Sequence, residues 1–77
     1  MDYTPFLRKI GLSELEARIY LDLLEHGSSV IAEIARRTNS HRQMIYRVLP
    51  ILMEQGLVSS GPIGKRQAYT AESPKHL

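Results

Sequence analysis

Ser40-His41-Arg42-Gln43-Met44-Ile45-Tyr46-Arg47-Val48-Leu49-Pro50 alternates apolar and polar residues at helical spacing. A step of about 100° per residue puts Ile45, Val48, Leu49 and, further on, Leu52 on one face. Arg42, Gln43, Tyr46 and Arg47 are left facing outward on the first two turns. Ser40 followed three residues later by Gln43 has the form of a capping box, which would open a helix at His41. Gly56 supplies the stop, so the pattern predicts a helix over 41–55. Pro50 falls inside it and removes the bond to the carbonyl of Tyr46, at a cost of about 3 kcal/mol. Two outcomes stay open: a kink at Pro50, or a helix that ends near Leu49 and restarts.

Upstream, Ile31, Ile34 and Ala35 point inward and Glu33, Arg36 and Arg37 outward in a helix expected over 31–38. Asn39 tolerates the left-handed conformation that would turn the chain sharply. Two helices joined by so short a turn make a helix-turn-helix unit. Ser13 and Glu16 form another capping box, opening a helix over 14–26 with Ala17, Ile19, Tyr20, Leu23 and Leu24 on one face and Gly27 as its stop. Glu16 is read as the cap partner, since no second carboxylate one turn away could share acid/base work. Thr4-Pro5 and Gly11 bracket a short helix over 4–10.

Downstream of Gly56, the segment 57–71 reads as a two-stranded wing: a strand from Leu57 to Ser60, a turn Gly61-Pro62-Ile63-Gly64, and a return strand from Gln67 to Ala71. Ser73-Pro74 repeats the cap-plus-Pro start signal, as an excised domain or a natural stub would. The expected fold class is mainly α with a small β-hairpin, a winged helix-turn-helix, in one domain over 1–77.

A chain of 77 residues buries only about 60% of its unfolded surface, which suits a small binding module better than an enzyme with a deep pocket. Without Cys it has neither disulfides nor thiolate metal ligands, and a cytoplasmic location is the expectation. No apolar run approaches the roughly 20 residues of a membrane span, so no membrane partner is expected. The net charge of +2 is unevenly placed. Residues 1–27 carry Arg8, Lys9 and Arg18 against Asp2, Glu14, Glu16, Asp22 and Glu25. Residues 36–66 carry Arg36, Arg37, Arg42, Arg47, Lys65 and Arg66 against Glu54 alone. The positive charge therefore coincides with the outward helix face and the wing, the footprint of a nucleic-acid binder.

A duplex offers a major groove wide enough for one helix, flanked by phosphates within reach of a loop. Arg42 and Arg47 could fork onto guanine acceptors and Gln43 could pair with adenine, each good pair discriminating by about 1 to 3 kcal/mol; phosphate contact is the competing role. Tyr46 could bond a phosphate through its hydroxyl or pack at the helix edge. Ser40 and His41 stand at the helix start, where amides and dipole attract phosphate, or they serve only as caps. Lys65 and Arg66 should reach phosphate or the minor groove, and Arg36 and Arg37 the adjoining backbone. His26, His41 and His76 lack ligand spacing, so no metal site and no cofactor are expected. Leu21 on the polar side of helix 14–26 and Leu15 at its margin could join Tyr3, Phe6 and Leu7 in a helix-helix dimer contact.

From Gly11 onward the landmarks resemble the amino-terminal winged-helix domain of the TrmB family of prokaryotic, mostly archaeal, transcriptional regulators. They are Gly11-Leu12-Ser13 with Glu16-Ala17 and Tyr20, Leu23-Leu24-Glu25-His26-Gly27, and Glu33-Ile34-Ala35, then Tyr46 to Leu49, Leu52 with Gly56-Leu57-Val58, and Tyr69, Ala71 and Pro74. The resemblance implies a transcription factor that binds operator duplex, usually as a homodimer. It also implies a carboxy-terminal sugar-binding effector domain in full-length members, expected to be missing from this chain. Pro50 departs from the family pattern.

Two other functions compete. A winged-helix adaptor would dock a protein without specific DNA binding, because fold does not dictate function. An enzyme would need a thiol nucleophile, a phosphate-cradling Gly-rich loop, paired carboxylates or a His/carboxylate constellation, and none is found in the sequence.

Overall fold

The computed structural model describes Lys9 and residues 11–72. The expected helix 4–10, apart from Lys9, and the Ser73-Pro74 signal lie outside the described residues, as do Tyr3, Phe6 and Leu7.

Ser13 and Glu16 close their capping box: the Glu16 amide donates to Ser13 Oγ at 3.2 Å and the Ser13 amide to Glu16 Oε1 at 3.0 Å. They open α1 (Glu14–His26). After Gly27 come β1 (Ser29–Val30), α2 (Ile31–Thr38), α3 (Arg42–Glu54), β2 (Val58–Ile63) and β3 (Arg66–Ala71). Asn39 adopts φ 53 and ψ 45, the left-handed conformation its short polar side chain tolerates. The Ser40 amide then donates to Ala35 O at 3.0 Å and turns the chain from α2 into α3.

The three helices enclose one core. Ala17, Ile19, Tyr20 and Leu23 of α1 meet Ile34 of α2 and Ile45, Val48, Leu49 and Leu52 of α3, with Leu57 and Val58 closing it from the wing side. The i, i+3, i+4 spacing that put those α3 residues on one face is what lets them share this interior. Leu21, expected on the polar side of α1, packs against the core cluster partly buried, as does Leu15 at the margin.

The predicted capping box at Ser40 and Gln43 does not form. His41 is the N-cap of α3 and no side chain bonds to the first-turn amides. The Ser40 hydroxyl donates instead to Thr38 O at 3.2 Å, because the αL turn at Asn39 uses Ser40 to finish α2 before α3 begins. α3 runs through Pro50 to Glu54 without a restart. Pro50 and Tyr46 are both exposed, so water can reach the Tyr46 carbonyl that loses its helical partner. Pro50→Ala should restore that bond and raise stability by about 1–3 kcal/mol, read as an increase in Tm in a thermal melt; an unchanged or lowered Tm would show that the proline is fully accommodated.

The wing differs from expectation in register and in strand number. The turn is not Gly61–Gly64. The strands pair from Val58↔Ala71 to Ile63↔Arg66, leaving a two-residue loop, Gly64-Lys65. Gly64 has φ 61, a conformation that costs a glycine nothing. Positive φ at the first loop residue only matches a type II′ hairpin turn. Gly61 and Pro62 therefore belong to β2, an edge strand, where the missing proline N–H is tolerated. β1, too short to show a period in the sequence, pairs through Ser29↔Tyr69 and Val30↔Ala68, giving an antiparallel sheet of order β1-β3-β2. The exit of β3 is fastened to the scaffold: Tyr20, fully buried, donates its hydroxyl to Glu72 O at 2.6 Å.

Candidate nucleic-acid interface

α3 carries Arg42, Gln43, Tyr46 and Arg47 on its solvent side, all exposed, with Tyr46 at 59%. Among the described residues none of these four side chains makes a hydrogen bond or ion pair. They owe this placement to Ile45, Val48, Leu49 and Leu52, whose burial fixes the rotation of the helix about its axis.

The structure sorts them into two hollows. Arg42 and Tyr46 line a groove of about 370 Å³ together with Arg66, Gln67 and Tyr69 of β3 and Val30, Ile31 and Ala32 at the start of α2. Gln43 and Arg47 line another of about 420 Å³ with His41, Met44 and Tyr46. Tyr46 stands between the two. Gln67, Tyr69 and Met44 were not among the site residues expected from the sequence. Gln67 and Tyr69 sit in a return strand whose facing partner, the start of α2, could not be inferred without β1.

At the start of α3 the His41 carbonyl accepts from the amides of Met44 and Ile45, while the amides of Arg42 and Gln43 have no partner among the described residues. An uncapped helix start of this kind presents donors and the positive end of the dipole to an anion. His41 is exposed beside it. Ser40 is half-buried, and its hydroxyl and amide both serve the preceding turn. Arg36 is exposed on α2, and Lys65 is exposed at the tip of the wing.

Arg37 is the exception. Rather than projecting toward a backbone, its Nε donates to both carboxylate oxygens of Asp22 at 3.1 and 3.2 Å, and its Nη2 to Asp22 Oδ2 at 2.9 Å. Nη2 also donates to Ser29 Oγ at 2.6 Å and Nη1 to Glu33 Oε2 at 3.2 Å. The hydrogen bond to Asp22 raises its pKa above the usual arginine value despite the opposing effect of burial, so the group stays charged at any working pH. Its place on the helix projects outward, but the adjacent α1 supplies a carboxylate within reach. That tertiary contact was invisible to periodicity. Arg37 is thus a strut joining α1, β1 and α2, and all three of its side-chain nitrogens already donate to partners within the domain.

The chain matches, over residues 7–75, the family described as "Sugar-specific transcriptional regulator TrmB". It is 40% identical over 60 residues to the uncharacterised protein MJ1082 of Methanocaldococcus jannaschii, covering 78% of this chain and 50% of that protein. It is 38% identical over 48 residues to MJ1503 of the same organism, covering 62% and 36%. The chain therefore spans half or less of the length of these curated relatives. Its fold is shared with YusO of Bacillus subtilis, at a TM-score of 0.78 and 19% identity, covering 86% of this chain and 49% of that one. It is also shared with NadR, solved in complex with 4-hydroxyphenylacetate, at a TM-score of 0.79 and 20% identity, covering 92% and 52%. The winged helix-turn-helix is therefore the fold of this chain, and the chain belongs to the TrmB family of transcriptional regulators.

Proposed function

We propose that residues 1–77 form one DNA-binding domain of a cytoplasmic transcription regulator, which recognises a specific duplex sequence by laying α3 in the major groove and the Gly64-Lys65 turn against the flanking backbone. The observation that carries this reading is the set of exposed side chains on α3 without partners among the described residues, namely Arg42, Gln43, Tyr46 and Arg47, with Arg66 of the wing lining the same groove as Arg42 and Tyr46. Unpaired, solvent-exposed guanidiniums keep their donors for a phosphate or a base edge. Arg37, held by Asp22, Glu33 and Ser29, is not a contact in this reading; Arg36 and the open amides beside Ser40 and His41 face the phosphate wall. A homodimer would present two copies of α3 to half-sites about 34 Å apart.

The test is the salt dependence of binding to mixed-sequence duplex, followed by fluorescence anisotropy. Each neutralised phosphate contributes about −0.9 to the slope of log K against log salt. About four such contacts lower the affinity more than a hundredfold between 50 and 200 mM salt. Enrichment of one sequence from a random duplex pool would establish specificity. No shift at low salt, together with salt-insensitive capture of a polypeptide, would replace this reading with a protein-docking adaptor.

A further inference from the structure

We infer that the groove between α3 and β3 is a seat for one phosphodiester of the duplex backbone, gripped jointly by Arg42 and Arg66, so that Arg42 measures backbone position and not base identity. This rests on the duplex-binding reading above and assigns its residues different tasks.

Arg42 and Tyr46 project about 40° apart around α3, whereas Gln43 and Arg47 lie about 100° and 140° from Arg42. Arg42 accordingly lines one hollow and Gln43 and Arg47 the other, with Tyr46 on the border of both. Arg42 shares its hollow with Arg66, which comes from the wing. Two guanidiniums face one groove with no carboxylate in its lining, and neither has an ion pair among the described residues. Their mutual repulsion is relieved by an anion between them, and a phosphate offers the oxygens onto which two guanidinium forks can close.

The rest of the lining fits a backbone better than a base edge. Val30, Ile31 and Ala32 give a mostly apolar wall suited to deoxyribose carbons, and the rings of Tyr46 and Tyr69 add apolar flanks with hydroxyl donors. Arg66, Gln67 and Tyr69 of the wing line the groove along this edge of α3. With α3 in a major groove, the wing lies over a strand wall, which is where a phosphodiester passes. Gln43 and Arg47, on the edge away from the wing, remain to read the bases.

The test uses the full chain and the duplex it enriches from a random pool, with a scrambled duplex as reference. Arg42→Ala and Arg66→Ala should each weaken both duplexes by the same factor, about tenfold, and the double variant should lower the salt slope by about 0.9, the share of the one phosphate they neutralise together. Neutral methylphosphonate linkages, introduced one at a time, locate the seat. One linkage should cost the parent protein about tenfold and cost an Arg42→Ala/Arg66→Ala variant less than about twofold. Both residues are exposed, so unchanged circular dichroism and Tm will show the variants folded. Loss of affinity confined to the enriched duplex in Arg42→Ala would overturn the assignment and make Arg42 a base reader. So would the lack of any linkage whose cost disappears in the double variant. If the parent binds no duplex, the duplex reading itself fails and takes the phosphate seat with it.

Discussion

Asp22→Ala is expected to lower the unfolding free energy by about 2–4 kcal/mol, measured by urea denaturation. The Asp22 carboxylate is 8% exposed and accepts from two nitrogens of Arg37, whose side chain is 17% exposed. His26 Nδ1 lies a further 3.4 Å from Asp22 Oδ1. Truncating one partner of a buried pair leaves the other charge without compensation, at a typical cost of 3–5 kcal/mol. The residual exposure of Arg37 and its bonds to Glu33 and Ser29 bring the figure toward the lower end. In a domain this small each kcal/mol shifts Tm by about 4–8 °C, so the variant should melt at least about 8 °C lower. Replacing both partners, as Asp22→Ala/Arg37→Met, should recover much of the loss, since removing a whole buried pair is often close to neutral. A single variant within about 0.5 kcal/mol of the parent would reduce the contact to an ordinary surface ion pair.

The double change Gln43→Ala/Arg47→Ala should remove the preference for the enriched duplex over a scrambled one while leaving the melting curve in place. Both side chains are exposed, have no partner among the described residues, and line the same hollow beside Met44 and Tyr46. Each well-formed pair with a base discriminates by about 1–3 kcal/mol, so the preference should fall at least about 30-fold. Affinity for the scrambled duplex should fall much less, by the share that Arg47 contributes as a charge. A double variant that still prefers the enriched duplex by the full factor would move base reading off this face of α3.

Helix content was legible in the sequence because α1 and α3 each span thirteen residues, long enough for the apolar period to repeat, and because the Ser13–Glu16 box and Gly27 punctuate α1. β1 was not legible. Two residues carry no period, and Ser29-Val30 becomes a strand only through Tyr69 and Ala68, some forty positions later. The hairpin turn was misplaced for a related reason: Gly61-Pro62 carries a strong turn signal, yet cross-strand pairing keeps both residues in an edge strand and gives the bend to Gly64-Lys65. At the interface, the outward direction of Arg42, Gln43, Tyr46 and Arg47 followed from the burial of their neighbours. The fates of Arg36 and Arg37 did not follow from position, since adjacent arginines on one helix meet different surroundings and, among the described residues, only Arg37 finds a carboxylate.

The sheet's outer margin bears on how the protein behaves at high concentration. β3 is paired on both sides and β1 offers only two residues, so β2 is the long strand with an open flank. Pro62 deprives that flank of an amide donor, and Gly61 beside it offers no side chain to zip against another chain. Edge-to-edge stacking of wings into fibrils is thereby disfavoured, although the hairpin is narrow, largely solvated and displays an exposed Ile63.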